Sequence, residues 1–118
     1  MQFSVSFYYD TDGNKPVAAF LKDLRNRDSK LYKLTVAGIK KIEMSERHGT
    51  PLTELVDPKH AIFELRIGNT NIARVFFFFR QGQEIIMTNG YVKKQQKVDT
   101  GELERARKYK KDWEERHK

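Results

Sequence analysis

The chain contains no cysteine. Disulfide staples and thiolate metal sites are thereby excluded, and the composition fits a reducing cytoplasm. Nor does any apolar segment approach the roughly 20 residues that a membrane-spanning helix needs. The opening Met-Gln-Phe-Ser-Val-Ser-Phe alternates like a strand and lacks the basic-then-apolar order of a signal peptide. Histidine is scarce: His48, His60 and His117 stand at no convincing metal-ligand spacing. There is no glycine-rich phosphate loop and no nucleophile elbow. Metal- or nucleotide-dependent chemistry is therefore not expected, and neither a metal nor a cofactor is assigned. No repeat or linker divides the chain, so residues 1–118 are expected to fold as one domain with a modest core.

What is present in excess is positive charge. Basic residues number 23 against 16 acidic ones, a formal +7, which favours RNA, DNA or an acidic protein as partner. The excess is local. Between Tyr91 and Lys111 stand Lys93, Lys94, Lys97, Arg105, Arg107, Lys108, Lys110 and Lys111, opposed only by Asp99, Glu102 and Glu104, a local +5.

Periodicity supplies the elements. Phe3, Val5, Phe7 and Tyr9 alternate with polar or amphipathic residues, predicting a half-buried strand over 2–9. Asp10-Thr11-Asp12-Gly13-Asn14 reads as a turn. A calcium loop would need glycine and glutamate where Lys15 and Leu21 stand. Pro16 suits a first helical turn, and Val17, Phe20, Leu21 and Leu24 follow at helical spacing. Ser29 is the expected cap of a second helix with a stripe of Leu31, Leu34, Gly38 and Ile42, terminated at Gly49. The two form a helical hairpin whose stripes must pack on something. Three apolar runs, 61–67, 72–80 and 84–92, separated by hairpin-like turns, predict the sheet that receives them. Phe76 to Phe79 put aromatics on both faces, as a central strand covered on both sides requires. A last helix begins near Asp99 or Thr100, with Leu103, Ala106, Lys110 and Trp113 along one side.

Strand alternation then sorts the polar residues. Glu64 and Arg66 share a face opposite Phe63, Leu65 and Ile67, and Arg74 interrupts an apolar run. Charges inside apolar strands are costly unless paired or turned to a ligand. Two readings stand: a Glu64–arginine ion pair that satisfies the sheet, or a cleft in which Arg66 and Arg74 grip phosphate oxygens. Tyr91 and Lys93 share a parity, so both point to one face, either as a packed strand end or as a stacking and charge-neutralising pair. Of the histidines, His48 ends a helix as a cap and His117 lies in a tail. His60, just before a strand, is the one near the proposed face.

Taken in order, Glu64-Leu65-Arg66, Arg74-Val75-Phe76, Gly90-Tyr91-Val92-Lys93-Lys94-Gln95-Gln96-Lys97 and Glu102-Leu103-Glu104-Arg105-Ala106 resemble the HigB-like, phage-related branch of the RelE/ParE toxin superfamily. The motifs cover about residues 62 to 107, and the preceding strand and helical hairpin also fit. The resemblance implies a small α+β, RelE-like fold: an N-terminal strand and helical hairpin on a twisted, largely antiparallel sheet, with a C-terminal helix. It implies the toxin of a type II toxin–antitoxin pair, a metal-independent mRNA interferase acting on the translating ribosome. The implied partners are mRNA, the ribosome and a helix-turn-helix antitoxin (HigA-like), with operator DNA reached only through the antitoxin and no membrane. By position, Arg66, Arg74, Tyr91, Lys93 and Lys94 are site candidates, with Lys97 near an RNA backbone. Arg105 and Lys108 add basic residues for RNA. Such cleavage needs an aligned 2′-hydroxyl and help for charge on the phosphate. Arg66 and Arg74 suit the charge, Lys93, Lys94 or Tyr91 the leaving oxygen, and Glu64 serves as base or orients an arginine. A different class, a basic RNA- or DNA-binding module or an inactive toxin relative, fits the same composition.

Overall fold

The computed structural model describes residues 2–44, 52–94 and 97–118. In chain order it comprises β1 (Ser4–Phe7), α1 (Pro16–Arg27), α2 (Ser29–Met44), β2 (Thr53–Asp57), β3 (Ile62–Ile67), β4 (Ile72–Arg80), β5 (Glu84–Lys93) and α3 (Thr100–Arg116). The strands form one five-stranded sheet in the order β1-β5-β4-β3-β2. β1 runs parallel to β5, and every other pair is antiparallel. The α1–α2 hairpin covers one face and α3 the other, the α+β arrangement expected of a RelE-like fold.

β4 occupies the centre, and its phenylalanines divide between the layers. Val75 and Phe77 pack with Val17, Ile42, Leu65, Ile85 and Met87 on the hairpin side. Phe76 and Phe78 meet Ile62, Leu103 and Ala106, or Tyr8, Ile86 and Trp113, on the α3 side. Full burial of a side chain this large stabilises by about 1.5–3 kcal/mol.

Three local readings are corrected. The cap of α2 is Asp28, whose carboxylate accepts from the Leu31 amide at 3.1 Å, while Ser29 is already helical. The buried stripe of α2 is Leu31, Thr35, Gly38 and Ile42. Leu34, expected on it, is 47% exposed. Thr35 takes the inward position because its hydroxyl is satisfied by the Leu31 carbonyl at 2.7 Å. His117 is no loose tail residue: it caps α3 and stacks on Trp113 at 3.7 Å between ring centres. The expected terminator Gly49 and its neighbour His48 lie outside the described residues, as do Gln95 and Gln96.

One strand is absent from the sequence reading. β2, Thr-Glu-Leu-Val-Asp, pairs with β3 at the sheet edge and shifts register between Leu55 and Asp57. Two acids in five residues and an exposed Leu55 hide its alternation.

A second irregularity sets up the site. Along β4–β5, Phe77 pairs with Met87 but Val75 pairs with Gly90, so Thr88 and Asn89 together oppose Phe76. That extra residue is a β-bulge, and it reverses which face the following side chains take. Before it, Ile86 faces α3 and Met87 the hairpin. After it, Gly90 lies against Phe20 of α1, and Tyr91 turns to the α3 side. The bulge is tied down by Thr88 Oγ1, 2.8 Å from Asn89 Oδ1, and by Asn89 Nδ2, which donates to the Glu102 carbonyl at 3.1 Å.

Candidate functional site

On the α3 side of the sheet, β3, β4 and β5 bring Glu64, Arg66, Arg74 and Tyr91 into one network. Arg66 pairs across the ladder with Arg74, and Arg74 with Tyr91. Two guanidiniums side by side repel, and Glu64 between them removes the repulsion. Its Oε1 accepts from Arg74 at 2.8 Å and from Arg66 Nε at 2.7 Å. Its Oε2 accepts from the Tyr91 hydroxyl at 3.2 Å. Glu64 and Arg74 have no exposed surface, and a charge so placed is tolerable only when paired.

The network opens to solvent at Arg66, whose side chain is 22% exposed and also pairs with Glu54 of β2. Burial works against its charge, yet hydrogen bonds and attraction from Glu64 and Glu54 raise its pKa above the ordinary arginine value. At the other end, the Tyr91 hydroxyl accepts from the Asp99 amide at 3.1 Å. Burial, assisted by the Glu64 carboxylate, pushes its pKa up to about 12, so it keeps its proton at neutral pH. Lys93, 26% exposed, stands 3.5 Å from the Asp99 carboxylate. Asp99 is held low, first by the Glu102 amide that it caps and further by Lys93.

Arg66 lines a groove of about 420 Å³ with Glu54, Leu55, Val56, Lys97 and Val98. Lys94 is exposed at the end of β5. Of the residues singled out from sequence, Glu64, Arg66, Arg74, Tyr91 and Lys93 are thus gathered through direct contacts and Asp99, and Lys97 joins Arg66 at the groove. Arg105 and Lys108 are not part of it. Arg105 pairs with Glu102 on the surface of α3, and Lys108 lines a different groove. The expectation that Arg74 grips phosphate is revised, because its guanidinium is enclosed and engaged with Glu64. Of the two readings of the charged strand face, the ion pair holds for Glu64 and Arg74, and only Arg66 borders open space. Sequence reasoning missed Glu54, because β2 itself was missed. It also missed Asp99 as the partner of Lys93, since Asp99 had been read only as a cap.

His60 sits elsewhere on the same side, bonded to Asp57 and apart from the Glu64 network. Among the described residues no group of three or more histidine or acidic side chains is gathered to hold a metal. No described helix is long and apolar enough to cross a membrane.

A sequence-family model described as "Phage derived protein Gp49-like (DUF891)" matches residues 22–111, from within α1 to within α3, and so spans the whole network. No curated protein matches the chain. With most of its length so matched, the chain belongs to the Gp49-like family of phage-derived proteins, a toxin-type family of the RelE/HigB kind.

Proposed function

We propose that the chain is the toxin of a type II toxin–antitoxin pair and cleaves mRNA on the translating ribosome without a metal. The observation that carries this reading is the Glu64 network opening at Arg66 onto a groove that Lys97 shares. In the reaction the 2′-hydroxyl gives up its proton to solvent water as its oxygen attacks the adjacent phosphorus, and the bond to the 5′-oxygen breaks, leaving a 2′,3′-cyclic phosphate and a 5′-oxygen that takes up a proton. Arg66 is the guanidinium placed to meet the phosphate, and one well-placed donor is worth about 3 kcal/mol to such a transition state. Arg74 is a positioning residue: it fixes Glu64, which in turn aims Arg66 and Tyr91. Lys93, with Lys94 beside it, neutralises charge on the leaving side. Tyr91 holds its proton up to about pH 12 and so acts as a donor, not a base. Lys97 steers the backbone. A cognate antitoxin follows from the toxin-type family; we assign it the helix-turn-helix, HigA-like class, covering this surface and carrying the toxin to operator DNA.

Primer-extension mapping after induction in cells tests the reading. New 5′ ends inside translated frames are expected with the wild-type chain and not with Arg66→Ala. Intact transcripts with wild-type protein overturn it. They favour a basic polynucleotide-binding module, a reading that one observation supports: Arg66 and Arg74 are both already engaged by Glu64.

A further inference from the structure

A second groove, of about 480 Å³, lies along α3 and is lined by His60, Glu104, Arg107, Lys108, Lys110, Lys111 and Glu114. At its head is a buried carboxylate. Asp57 of β2 is 5% exposed, and its Oδ2 accepts from Arg107 Nε at 2.6 Å and lies 2.9 Å from His60 Nδ1. Its Oδ1 accepts from the His60 amide at 3.2 Å. Burial opposes ionisation here, but the Arg107 and His60 hydrogen bonds outweigh it and hold Asp57 below the usual carboxylate range.

The geometry fixes the imidazole. An ionised carboxylate can only accept, so Nδ1 carries a proton and Nε2 is left for the groove. The side chain of His60 is 42% exposed, and its backbone carbonyl accepts from Lys110 Nζ, which fastens the loop to α3. The next residue, Ala61, has φ +53°, a left-handed conformation that residues with a Cβ rarely adopt. The loop is thus held in a strained turn that presents His60 beside four cations.

The charged groups facing His60 are Asp57 from β2, and Glu104, Arg107, Lys108, Lys110, Lys111 and Glu114 from α3, with exposed Lys59 preceding it in the loop. The acids are already engaged: Glu104 with Arg107, Glu114 with Lys110, and Asp57 with Arg107. Lys108 and Lys111 form no ion pair among the described residues and are exposed. An incoming anion therefore meets two uncommitted ammonium groups and one imidazole that becomes a donor when protonated. A phosphate group offers acceptor oxygens for all three.

We infer that this groove is a phosphate-binding site centred on His60, distinct from the Arg66 groove and independent of whether the chain cuts RNA. The phosphate arrives either free or as part of a polynucleotide backbone, and the test separates these.

The measurement is NMR of the histidine rings in the full chain, assigned with His60→Gln, during titration with inorganic phosphate and, separately, with a short single-stranded RNA. A saturable shift of the His60 ring is expected. RNA affinity should fall about 3- to 10-fold in His60→Gln and in Lys111→Ala, the second variant changing only an exposed side chain that the fold does not need. Lys111→Ala should also lower the salt slope by about one. A response to inorganic phosphate and not to RNA supports a site for small phosphate compounds. A His60 ring unmoved by both overturns the proposal, as does a response to poly-glutamate alone. Because Arg66→Ala leaves this groove intact, binding that persists in that variant separates failure of the cleavage reading from failure of this one.

Discussion

At the scale of single residues, the site is governed by one carboxylate shared between two guanidiniums. Arg74→Ala leaves Glu64 buried with its remaining partners, Arg66 and Tyr91, and should cost about 3–5 kcal/mol in a urea melt. Tyr91→Phe removes a bond to Glu64 and an acceptor for the Asp99 amide, and should cost about 1 kcal/mol. Arg66→Ala should cost far less stability than Arg74→Ala while abolishing cleavage, since Arg66 is partly open to solvent and its open edge is the part the proposal assigns to RNA. Equal loss of stability in the two arginine variants would mean that Arg66 is as structural as Arg74. These charges were legible because alternation placed Glu64 and Arg66 on one strand face and Arg74 within an apolar run. Their burial was not. Periodicity shows which residues share a face, and only the packing of α3 on that face shows which of them it encloses.

At the scale of elements, the bulge at Thr88–Asn89 decides what Tyr91 can do. With regular alternation from Ile86, Tyr91 would face the helical hairpin and never reach Glu64. Sequence reading gave Tyr91 and Lys93 one shared face but not which one, because no residue type in Thr88-Asn89-Gly90 demands a bulge. What holds it is tertiary: Asn89 is claimed by the Glu102 carbonyl of α3. The same stretch explains Gly90. A Cβ there would stand 2.5 Å from Cδ2 of Phe20, so Gly90→Ala should destabilise by about 1–3 kcal/mol in thermal or chemical melts. Wild-type stability in Gly90→Ala would show that α1 shifts freely over β5. β2 escaped for a related reason, since an edge strand with charged residues carries little alternation to read.

For the whole molecule, the layers are coupled by groups whose ionisation differs from that of the unfolded chain, and pH stability follows. Asp10, Asp57, Asp99 and Asp112 all sit below the ordinary carboxylate value. Depressed acids stabilise fully above their unfolded pKa and lose that contribution as pH falls through the folded value. The melting temperature should thus hold down to about pH 5 and drop below about pH 4. Tyr8 and Tyr91 are raised to about 12, chiefly by burial. A raised tyrosine stabilises fully below its unfolded value of about 10, and the contribution disappears as pH climbs from there through the folded value. Two late tyrosinate steps in the ultraviolet absorbance, one lost in Tyr8→Phe and one in Tyr91→Phe, would check this.

The parallel pairing of β1 with β5 has a kinetic meaning. Ser4 finds its partner at Glu84, and the Tyr8 hydroxyl bonds Asp112, 104 positions along the chain. Local hairpins such as β3–β4 and β4–β5 can close early, whereas the N-terminal strand must wait for the last strand before it has a neighbour. A chain emerging N-terminus first therefore carries β1 as an unpaired edge until β5 has been made. The surface built on Tyr91 and α3 comes still later, so synthesis itself delays the moment at which the protein can act.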